Sequence, residues 1–540
     1  MEGEPDAGDP LLAQGRSGSG GQTSGAGTSE HRNVTLTPDT AIAHAGVVYP
    51  SELERAFMDR STSLDVERAS SRSLGLGGWT TAVILGEVKK LLDLSGALVV
   101  SSLASFLVPV MTMAFVGRNT TKSELSVVAL ASSFFNVTGY AAIVGSLGAL
   151  ETLISNAHGA NSHALKGVLL QRAIVITLMM CVGVIVMWTR MYDIMILAGQ
   201  DPALARSAAE YLLHISPSLV FLAAADAMKK FFTCQSLVVA PTVAAVVSTV
   251  LTFFYNWLLI VVWKLELRGA AHAVNLAQLT PCAILYTWYA LRERRLREEG
   301  SDDQTWYGFD FTAEGVFGGW GEYFKLAIPS AAMVALEWGV FECSLLLSGW
   351  LDNPSLHVAV MGLSLNFSGT VYMLPLGVSS ATAVRVGNAI GGGQPEKAKR
   401  SAWVSLAMTL AMQVSLGVLS VLGREAVGMA FSEDEGVIRA TADIVPLVAF
   451  CMLGDGVNAS IGGMLRGIGR QEIGAKYNLL SYWGIGMPLA YMLGIPLGWG
   501  IAGLWTGLAT CASVNGIIMF LVLRRVEWGL EVARASERQR

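Results

Sequence analysis

Acidic residues inside apolar runs are the side chains of this sequence that are best suited to chemistry. A charge at the centre of a bilayer costs about 2.5–3.5 kcal/mol on insertion scales, so such an acid needs a function or a partner. A carboxyl group escapes most of that cost by holding a proton, which makes it a natural proton carrier. The candidates in apolar surroundings are Glu151, Asp226, Glu337, Glu342 and Asp455.

Two of these acids, Glu337 and Glu342, lie in the middle of one apolar run. At about 100° per helical residue they are about 140° apart, so they flank a helix face without sharing it. Both can border one cavity, with Trp338 and Phe341 beside them as flat surfaces for an aromatic or cationic substrate. We predict that both glutamates bind protons or substrate. The alternative for either is a hydrogen bond to an interrupted helix backbone.

The other three acids differ in their surroundings. Asp455 lies between two glycines, which let another helix or a ligand approach; we predict ion coupling, with an interhelical hydrogen bond as the alternative. Asp226 can pair with Lys229 and Lys230 at i,i+3 and i,i+4 and is predicted to be structural. Glu151 lies at the end of its apolar run, where water can solvate it, and is predicted to form a structural or gating ion pair.

The composition indicates a membrane protein. Of the 540 residues, 52% are hydrophobic and only 15% are charged, against roughly a quarter in soluble domains. The net charge of -5 offers no basic field for nucleic acid. The 6 cysteines have no paired spacing and no neighbouring histidine cluster, which argues against a disulfide framework, a metal site or a cofactor. The chain has no nucleophile elbow either, so we do not expect an enzyme.

Apolar stretches long enough to cross about 30 Å of hydrocarbon recur with short polar breaks. They predict twelve transmembrane helices, and an even number puts both termini on one side. The predicted spans are 93–117, 125–147, 168–189, 209–232, 239–263, 269–291, 324–350, 356–380, 399–422, 441–464, 473–496 and 501–523.

Basic residues predict the orientation and the domains. They concentrate in the connections that follow even-numbered spans, so both termini should be cytoplasmic, in the plasma membrane or the vacuolar membrane. Residues 1–85 are rich in Gly, Ser and acids and predict a disordered cytosolic tail. The predicted order continues with a first lobe (86–291), a cytoplasmic linker (292–323), a second lobe (324–523) and a cytosolic C-terminal tail (524–540).

The two halves of the chain repeat each other. Several pairs share an offset of 232 residues and one pair an offset of 234, which is typical of transporter lobes related by an axis along the membrane normal. The sequence therefore predicts an all-α membrane protein with two six-helix lobes, in which Asn156 and Asn388 have structural or gating roles. The pairs are Asn156 with Asn388, Gly159 with Gly391, Gly117 with Gly349, Gly145 with Gly377 and, at the larger offset, Gly269 with Gly503.

Four segments resemble the eukaryotic branch of the multidrug and toxic compound extrusion (MATE) family, and the resemblance covers about 90–525. It implies a twelve-helix fold, rocker-switch alternating access and export of organic solutes against protons. The segments are LGALETLISNAHGA (147–160), PSAAMVALEWGVFECSLLLSG (329–349), VYMLPLGVSSATAVRVGNAIGGG (371–393) and MLRGIGRQEIGAKYN (464–478).

The resemblance also bears on single residues. LEWGVFE is similar to the family's acidic motif at Glu337 and Glu342, and Asp455 matches a position where the family carries Asp or Glu. Some animal members have a glutamate where this chain has Asn366, so Asn366 is expected to act through hydrogen bonds, or in helix packing. Tyr372 is a further candidate for the cavity wall.

In the first lobe this sequence departs from the pattern of the bacterial relatives. Bacterial relatives often carry an aspartate just before the FVG motif, whereas this chain offers Thr112. An alcohol does not carry a proton, so we expect the second lobe to hold the coupling site.

These observations predict a proton-coupled antiporter that exports organic cations or amphipathic secondary compounds from the cytosol. Its expected partners are a small organic substrate and the lipid bilayer, and we expect a functional monomer. Sodium stays open as the coupling ion. The alternatives are an exporter of organic anions such as citrate, a lipid-linked flippase, or a non-transporting receptor or scaffold. A flippase would need a cationic cavity, and a receptor would need neither a repeat nor paired acids.

Overall fold

Helices are the regular structure of this chain. The computed structural model describes residues 79–197, 199–308 and 315–538, and these ranges contain no strand. The disorder predicted for residues 1–78 lies outside the described residues. The first helix, α1 (Thr81–Asn119), begins inside the predicted tail, so residues 81–85 belong to the first lobe.

Six long helices form the first lobe, and each matches one predicted span to within one residue at its C-terminal end or contains it. In α4 the two segments bend by 45° at Ile215, and a short helix, Met191–Leu197, precedes them. The helices after α1 are α2 (Ser123–Gly159), α3 (His163–Trp188), α4 (Pro202–His214 with Ser216–Cys234), α5 (Val239–Val262) and α6 (Glu266–Glu298).

The second lobe repeats this order. Its α11 consists of three consecutive segments, of which the middle one is π-helical, and a short helix, Arg424–Met429, precedes α10. The helices are α7 (Trp320–Ser348), α8 (Pro354–Gly391), α9 (Pro395–Leu422), α10 (Glu435–Ile468), α11 (Gln471–Asn478, Leu479–Gly486 and Met487–Gly494) and α12 (Gly500–Arg524).

Among the described residues, nine helices are long and apolar enough to cross a membrane, and a tenth joins them if the bent α4 is one span. The other two are explained by their sequences. The apolar part of α6 is interrupted by His272, Asn275 and Gln278, and that of α11 by Asn478, Ser481 and Tyr482. The twelve helices form the two predicted lobes.

Local sequence signals set several helix ends. Thr80 caps α1 by accepting a hydrogen bond from the amide of Val83. Thr121 and Glu124 form a capping box at the start of α2, which ends the short turn after α1. Gly469 ends α10 with a φ of 74°, a left-handed conformation that favours glycine.

The internal repeat is also present in the close contacts between helices. A Cβ added at Gly145 of α2 would overlap Ala331 of α7, and one at Gly377 of α8 would overlap Val99 of α1. Both residues of the second contact are related to those of the first by the offset of 232 found in the sequence, with the lobes exchanged. The repeat is therefore a pseudo-two-fold relation in which each lobe packs on the other through equivalent small residues.

The predicted linker (292–323) and the predicted C-terminal tail (524–540) both form specific contacts with the lobes. After α6, the amides of Thr305 and Trp306 each donate a 2.9 Å hydrogen bond to Glu293, which ties the linker to the first lobe. The predicted C-terminal tail contains a helix, α13 (Trp528–Arg538). Arg538 donates a 2.8 Å hydrogen bond to the carbonyl of Ile468, so α13 braces the end of α10.

Candidate transport site and lobe interface

A carboxylate cluster lies inside the second lobe, where α7, α8 and α10 meet. The Tyr372 hydroxyl of α8 donates a 2.9 Å hydrogen bond to Glu337 Oε1 of α7. Asp455 of α10 is buried, and its Oδ2 accepts a weak 3.6 Å bond from the Cys451 thiol. The charges of Glu337 and Asp455 both act on the hydroxyl of Tyr482 in α11. The fold therefore brings together three residues that the sequence placed far apart.

This cluster has no basic partner at contact distance within the described ranges. Asp455 Oδ1 is buried without a hydrogen-bond partner. Arg466 acts on Glu337 electrostatically, but its guanidinium is bonded to Glu151. Carboxylates buried without a counter-ion are unfavourable, and a proton or a cationic ligand relieves that cost. The cluster can thus bind a proton or a cation, and each excludes the other.

Two glycines hold Asp455 in this position. A Cβ at Gly454 would overlap the backbone of Ala512 in α12, and one at Gly456 would overlap Gln413 in α9. The expected close approach is thus between helices, and it carries the carboxylate into the interior of the lobe.

Glu342 occupies a different place from Glu337. It lines a small cavity of ≈ 20 Å³ between the lobes, opposite Asn136 and Val137 of α2. That lining includes Trp338 but not Glu337. Glu342 forms no ion pair in the described part of the chain.

The predicted aromatic and amide wall residues have separate surroundings. Trp338 stacks on Tyr140 of α2, with ring centroids 5.5 Å apart and planes at 13°, so this contact crosses between the lobes. Phe341 is partly buried and packs against the apolar core of the second lobe. Asn366 is exposed and donates a 2.9 Å hydrogen bond to the carbonyl of Gly362 in its own helix.

Glu151 forms an ion pair that joins the two lobes. Its Oε2 accepts from Lys230 Nζ at 3.0 Å and from Arg466 Nε at 3.1 Å. The guanidinium of Arg466 also donates to Ser379 Oγ at 2.9 Å. Glu151 is only 2% exposed, so the expectation that water solvates it is wrong, because α10 covers it.

A second ion pair across the lobes was not predicted from the sequence. Glu87 of α1 binds the guanidinium of Arg385 in α8 with a shortest distance of 2.6 Å. The Ser401 hydroxyl of α9 donates a 2.6 Å hydrogen bond to the same Glu87 carboxylate. Glu87 lies before the first predicted span, 93–117, and Arg385 lies just after the predicted span 356–380. Nothing in the local sequence indicates a partner so far along the chain.

Asn156 and Asn388 lie where α2 crosses α8. A Cβ at Gly159 would overlap the carbonyl of Asn388, and one at Gly391 would overlap the carbonyl of Asn156. Both contacts are equivalent under the repeat, so the pseudo-two-fold axis passes through this crossing. The side chain of Asn156 is buried without a hydrogen-bond partner, which agrees with a role in packing the lobes.

The predicted pairing of Asp226 is wrong. Lys230 bonds to Glu151 instead, and Asp226 forms no ion pair with Lys229 among the described residues. Its Oδ2 is buried without a hydrogen-bond partner, and its charge acts on Tyr140 and on both lysines. The fold, rather than helical spacing, decides which acid Lys230 meets.

The lobes thus meet tightly at one end of the molecule, where α1 begins and α2, α8 and α10 end. We call this end, which carries Lys230, Arg385 and Arg466, the basic end. It contains both ion pairs and the crossing of α2 and α8 at Gly159 and Gly391, the glycine crossing. Two six-helix lobes joined at one end, with interior carboxylates between and within them, define a membrane transporter. In the described ranges, no group of three His, Cys, Asp or Glu side chains could hold a metal ion.

Comparisons with known proteins agree with this class. A model of the MatE family matches residues 97–258 and 329–492, one match in each lobe. The protein DETOXIFICATION 17 of Arabidopsis thaliana is 33% identical over 452 residues, which is 84% of this chain and 93% of that protein. The protein DETOXIFICATION 6 of the same plant is 32% identical over 456 residues, 84% of this chain and 91% of that protein.

Solved structures extend the likeness. The crystal structure of the eukaryotic MATE transporter AtDTX14 has a TM-score of 0.78 and 29% identity, covering 84% of this chain and 99% of that one. The Vibrio cholerae MATE transporter VcmN has a TM-score of 0.73 at 15% identity, covering 83% of this chain and 100% of that one, and shares the fold. The chain belongs to the MATE family of multidrug and toxic compound extrusion transporters. It is a multi-pass integral membrane protein that binds small organic substrates within the membrane, and it is not an enzyme.

Proposed function

We propose that this protein is a proton-coupled antiporter that exports organic cations or amphipathic secondary compounds from the cytosol. The observation that supports this most is the cluster of Glu337, Tyr372 and Asp455, in which the two carboxylates have no basic partner at contact distance in the described chain. A proton and a cationic cargo compete for these carboxylates. A proton that arrives from the acidic side therefore displaces cargo there.

The lobe interface supports alternating access. The ion pairs of Glu87 with Arg385 and of Glu151 with Arg466 each join one lobe to the other at the basic end. Opening that end towards the cytosol requires both pairs to separate. Cargo binding to the interior carboxylates and the breaking of these pairs are thus steps of one cycle, and the chain acts as a monomer without a cofactor.

The available energy is sufficient for export. Each proton supplies about 2.3 kcal/mol per 100 mV of membrane potential. A pH difference adds about 1.4 kcal/mol per unit. For an uncharged cargo both contributions count, and one proton sustains roughly a tenfold to hundredfold gradient. Exchange of one proton for one monovalent cation moves no net charge, so only the pH difference drives it, by roughly tenfold per unit.

Transport in proteoliposomes tests the coupling ion and the cargo class. Purified protein is reconstituted, and pH and sodium gradients are imposed separately while uptake of labelled organic cations and organic anions is followed. We expect the pH gradient to drive uptake of cations, and Glu337→Gln to remove that uptake. Glu433→Gln, an exposed acid outside the cluster, is the matched control and should behave as the native protein. Uptake driven by sodium alone, or of anions alone, would contradict the proposal.

Orientation is tested by labelling. We propose that both termini and the basic end face the cytosol, in the plasma membrane or the vacuolar membrane. An impermeant maleimide applied outside intact cells, or inside sealed vacuolar vesicles, should react with a cysteine at Asn353 and miss one at Ser301. Labelling of Ser301 from that side would reverse the assignment.

A further inference from the structure

A series of buried polar side chains continues from Asp455 towards the basic end, inside the second lobe. Three of them have a side-chain oxygen without a hydrogen-bond partner among the described residues: Asp455 Oδ1, Asn458 Oδ1 and Asn515 Oδ1. None of these residues is more than 7% exposed. Buried polar atoms without a protein partner are the usual binding sites of internal water molecules. The interior of this lobe therefore offers water several sites in sequence.

Asn458 forms the first step away from the carboxylate cluster. It lies one helical turn after Asp455 in α10, so the two side chains are neighbours on that helix. Its Nδ2 donates a 3.0 Å hydrogen bond to the Tyr482 hydroxyl of α11 and a 3.3 Å bond to the carbonyl of Ala512 in α12. Three helices thus meet around a single amide that lies next to Asp455.

Asn515 and Asn478 form the next step. A Cβ added at Gly516 of α12 would lie 3.7 Å from Asn458 Oδ1, so α12 stays close to Asn458 at this level. The neighbouring Asn515 donates a 2.9 Å hydrogen bond from its Nδ2 to Asn478 Oδ1 of α11. Since α10 and α12 run towards the basic end and α11 begins there, Asn515 and Asn478 lie nearer to that end than Asp455 does.

Met333 of α7 closes this series on the side of the basic end. Asn478 Nδ2 donates a 2.9 Å hydrogen bond to the Met333 carbonyl. A Cβ at Gly474, one turn nearer to the basic end in α11, would overlap Met333 Sδ, and one at Gly462 of α10 would lie 3.1 Å from Met333 Cε. The buried thioether thus fills the space between α7, α10 and α11 beyond Asn478.

We propose that water molecules join these side chains into a proton path through the second lobe, and that Met333 closes its exit at the basic end. The O–H bond of protonated Asp455 breaks, and the proton passes to the first water. Each following water passes on one of its own protons, so one proton emerges beyond Met333 and Asp455 is left as a carboxylate. This inference rests on the proposed function for the proton, and it adds a route that is separate from the cleft between the lobes.

The position of Met333 connects the exit to the movement of the lobes. Ala331, two residues before it, is in close contact with Gly145 of the first lobe. A movement of one lobe against the other therefore displaces this part of α7 and withdraws the thioether from its place between Gly474 and Gly462. Release of the proton then follows the opening of the basic end.

Proton entry without cargo tests the path separately from transport. The full-length protein is reconstituted into liposomes that contain pyranine, and a pH gradient is imposed with potassium and valinomycin holding the membrane potential at zero. We expect Met333→Ser to admit protons about tenfold faster than the native protein or more, because a smaller polar side chain opens the exit to water. Met333→Leu fills nearly the same volume and should keep the exit closed.

A second substitution identifies the route of these protons. Asn515→Leu added to Met333→Ser should return proton entry to within about twofold of the native rate, because an apolar side chain interrupts the series of water sites. Thr510→Val added to Met333→Ser is the matched control. It also removes a polar group from α12, but one that is bonded to the carbonyl of Thr506 in its own helix, and proton entry should stay fast.

Two results would overturn the path: native proton entry in folded Met333→Ser, or fast entry that persists after Asn515→Leu. Folding is checked by size-exclusion chromatography. If Met333→Ser does not fold, Asn515→Leu alone decides, since it should lower the slow proton entry of the native protein by about threefold, and an unchanged rate contradicts the path. Fast entry that Asn515→Leu stops, in a protein without pH-driven cargo uptake, supports the path and contradicts only the proposed coupling.

Discussion

The two lobes share one helical repeat but treat their acids differently. In the first lobe, Glu87 and Glu151 each bind a guanidinium of the other lobe. In the second lobe, the hydrogen-bond donors to Glu337 and Asp455 among the described residues are a tyrosine hydroxyl and a thiol. An acid in an apolar segment is thus a poor guide to function by itself. The absence of a basic partner, which only the fold reveals, separates acids suited to ion coupling from acids that join the lobes.

The largest effect is expected from neutralising the second-lobe cluster. Glu337→Gln should abolish pH-driven uptake, because glutamine mimics the protonated acid permanently and removes the charge that a cation needs. Asp455→Asn should do the same. Glu337→Asp should retain some transport with a shifted pH optimum, because it titrates but reaches less far towards Tyr372. Uptake into proteoliposomes at a series of imposed pH gradients measures all three.

This prediction has a clear contrary result. Native pH-driven exchange in the combined variant Glu337→Gln and Glu342→Gln, with the protein folded and correctly inserted, would remove α7 from the coupling mechanism. The first lobe would then have to carry the protons, and the contrast between the lobes would lose its functional meaning.

The second-largest effect is expected from breaking the ion pair of Glu87 with Arg385. Glu87→Gln leaves Arg385 without its carboxylate, at a cost of about 3 kcal/mol, the low end for a broken buried pair, since 17% of the Arg385 side chain is exposed. We expect a lower midpoint temperature of thermal unfolding. We also expect a cysteine at the basic end to react faster with a maleimide. Arg385→Met added to Glu87→Gln should recover stability, because no uncompensated charge remains. Equal stability of the native protein and Glu87→Gln would mean that this pair does not hold the lobes together.

The glycine crossing offers a more local break. Gly159→Ala places a methyl group against the carbonyl of Asn388, so α2 and α8 must move apart. We expect a cysteine at the buried Ala157 to react faster with a maleimide from the basic end, and transport to slow. By the repeat, Gly391→Ala should act alike. Gly96→Ala in α1, where a Cβ meets nothing within 4 Å, is the matched control. Unchanged labelling in both crossing variants would show that the helices yield without separating the lobes.

The sequence predicted the helices well because their signals are local. Apolar length locates all twelve, and the offset of Asn156 and Asn388 reveals the repeat before any contact is known. Partners that depend on lobe packing were not predictable. Lys230 has Asp226 four residues before it, but the fold brings Glu151 closer to its ammonium. The stack of Tyr140 on Trp338 joins helices of different lobes, and no spacing in the chain indicates it.

The smallest effect is expected in the first lobe at Thr112. Its hydroxyl donates to the carbonyl of Val108 at 3.3 Å and accepts from Asn256 Nδ2 at 3.1 Å. Thr112→Ala removes both bonds, but Asn256 Nδ2 keeps its 2.9 Å bond to the carbonyl of Thr252, so the loss of stability should be about 1 kcal/mol.

Because an alcohol does not titrate in the accessible pH range, the pH profile of transport by Thr112→Ala should overlay that of the native protein. The matched change in the second lobe is Tyr372→Phe, which also removes one hydroxyl but one that is bonded to Glu337. That variant should shift the pH profile, because the carboxyl loses the hydrogen bond that favours its charged form. A shift in Thr112→Ala and none in Tyr372→Phe would place the titrating group in the first lobe. That result would contradict the assignment of the coupling site to the carboxylates of the second lobe.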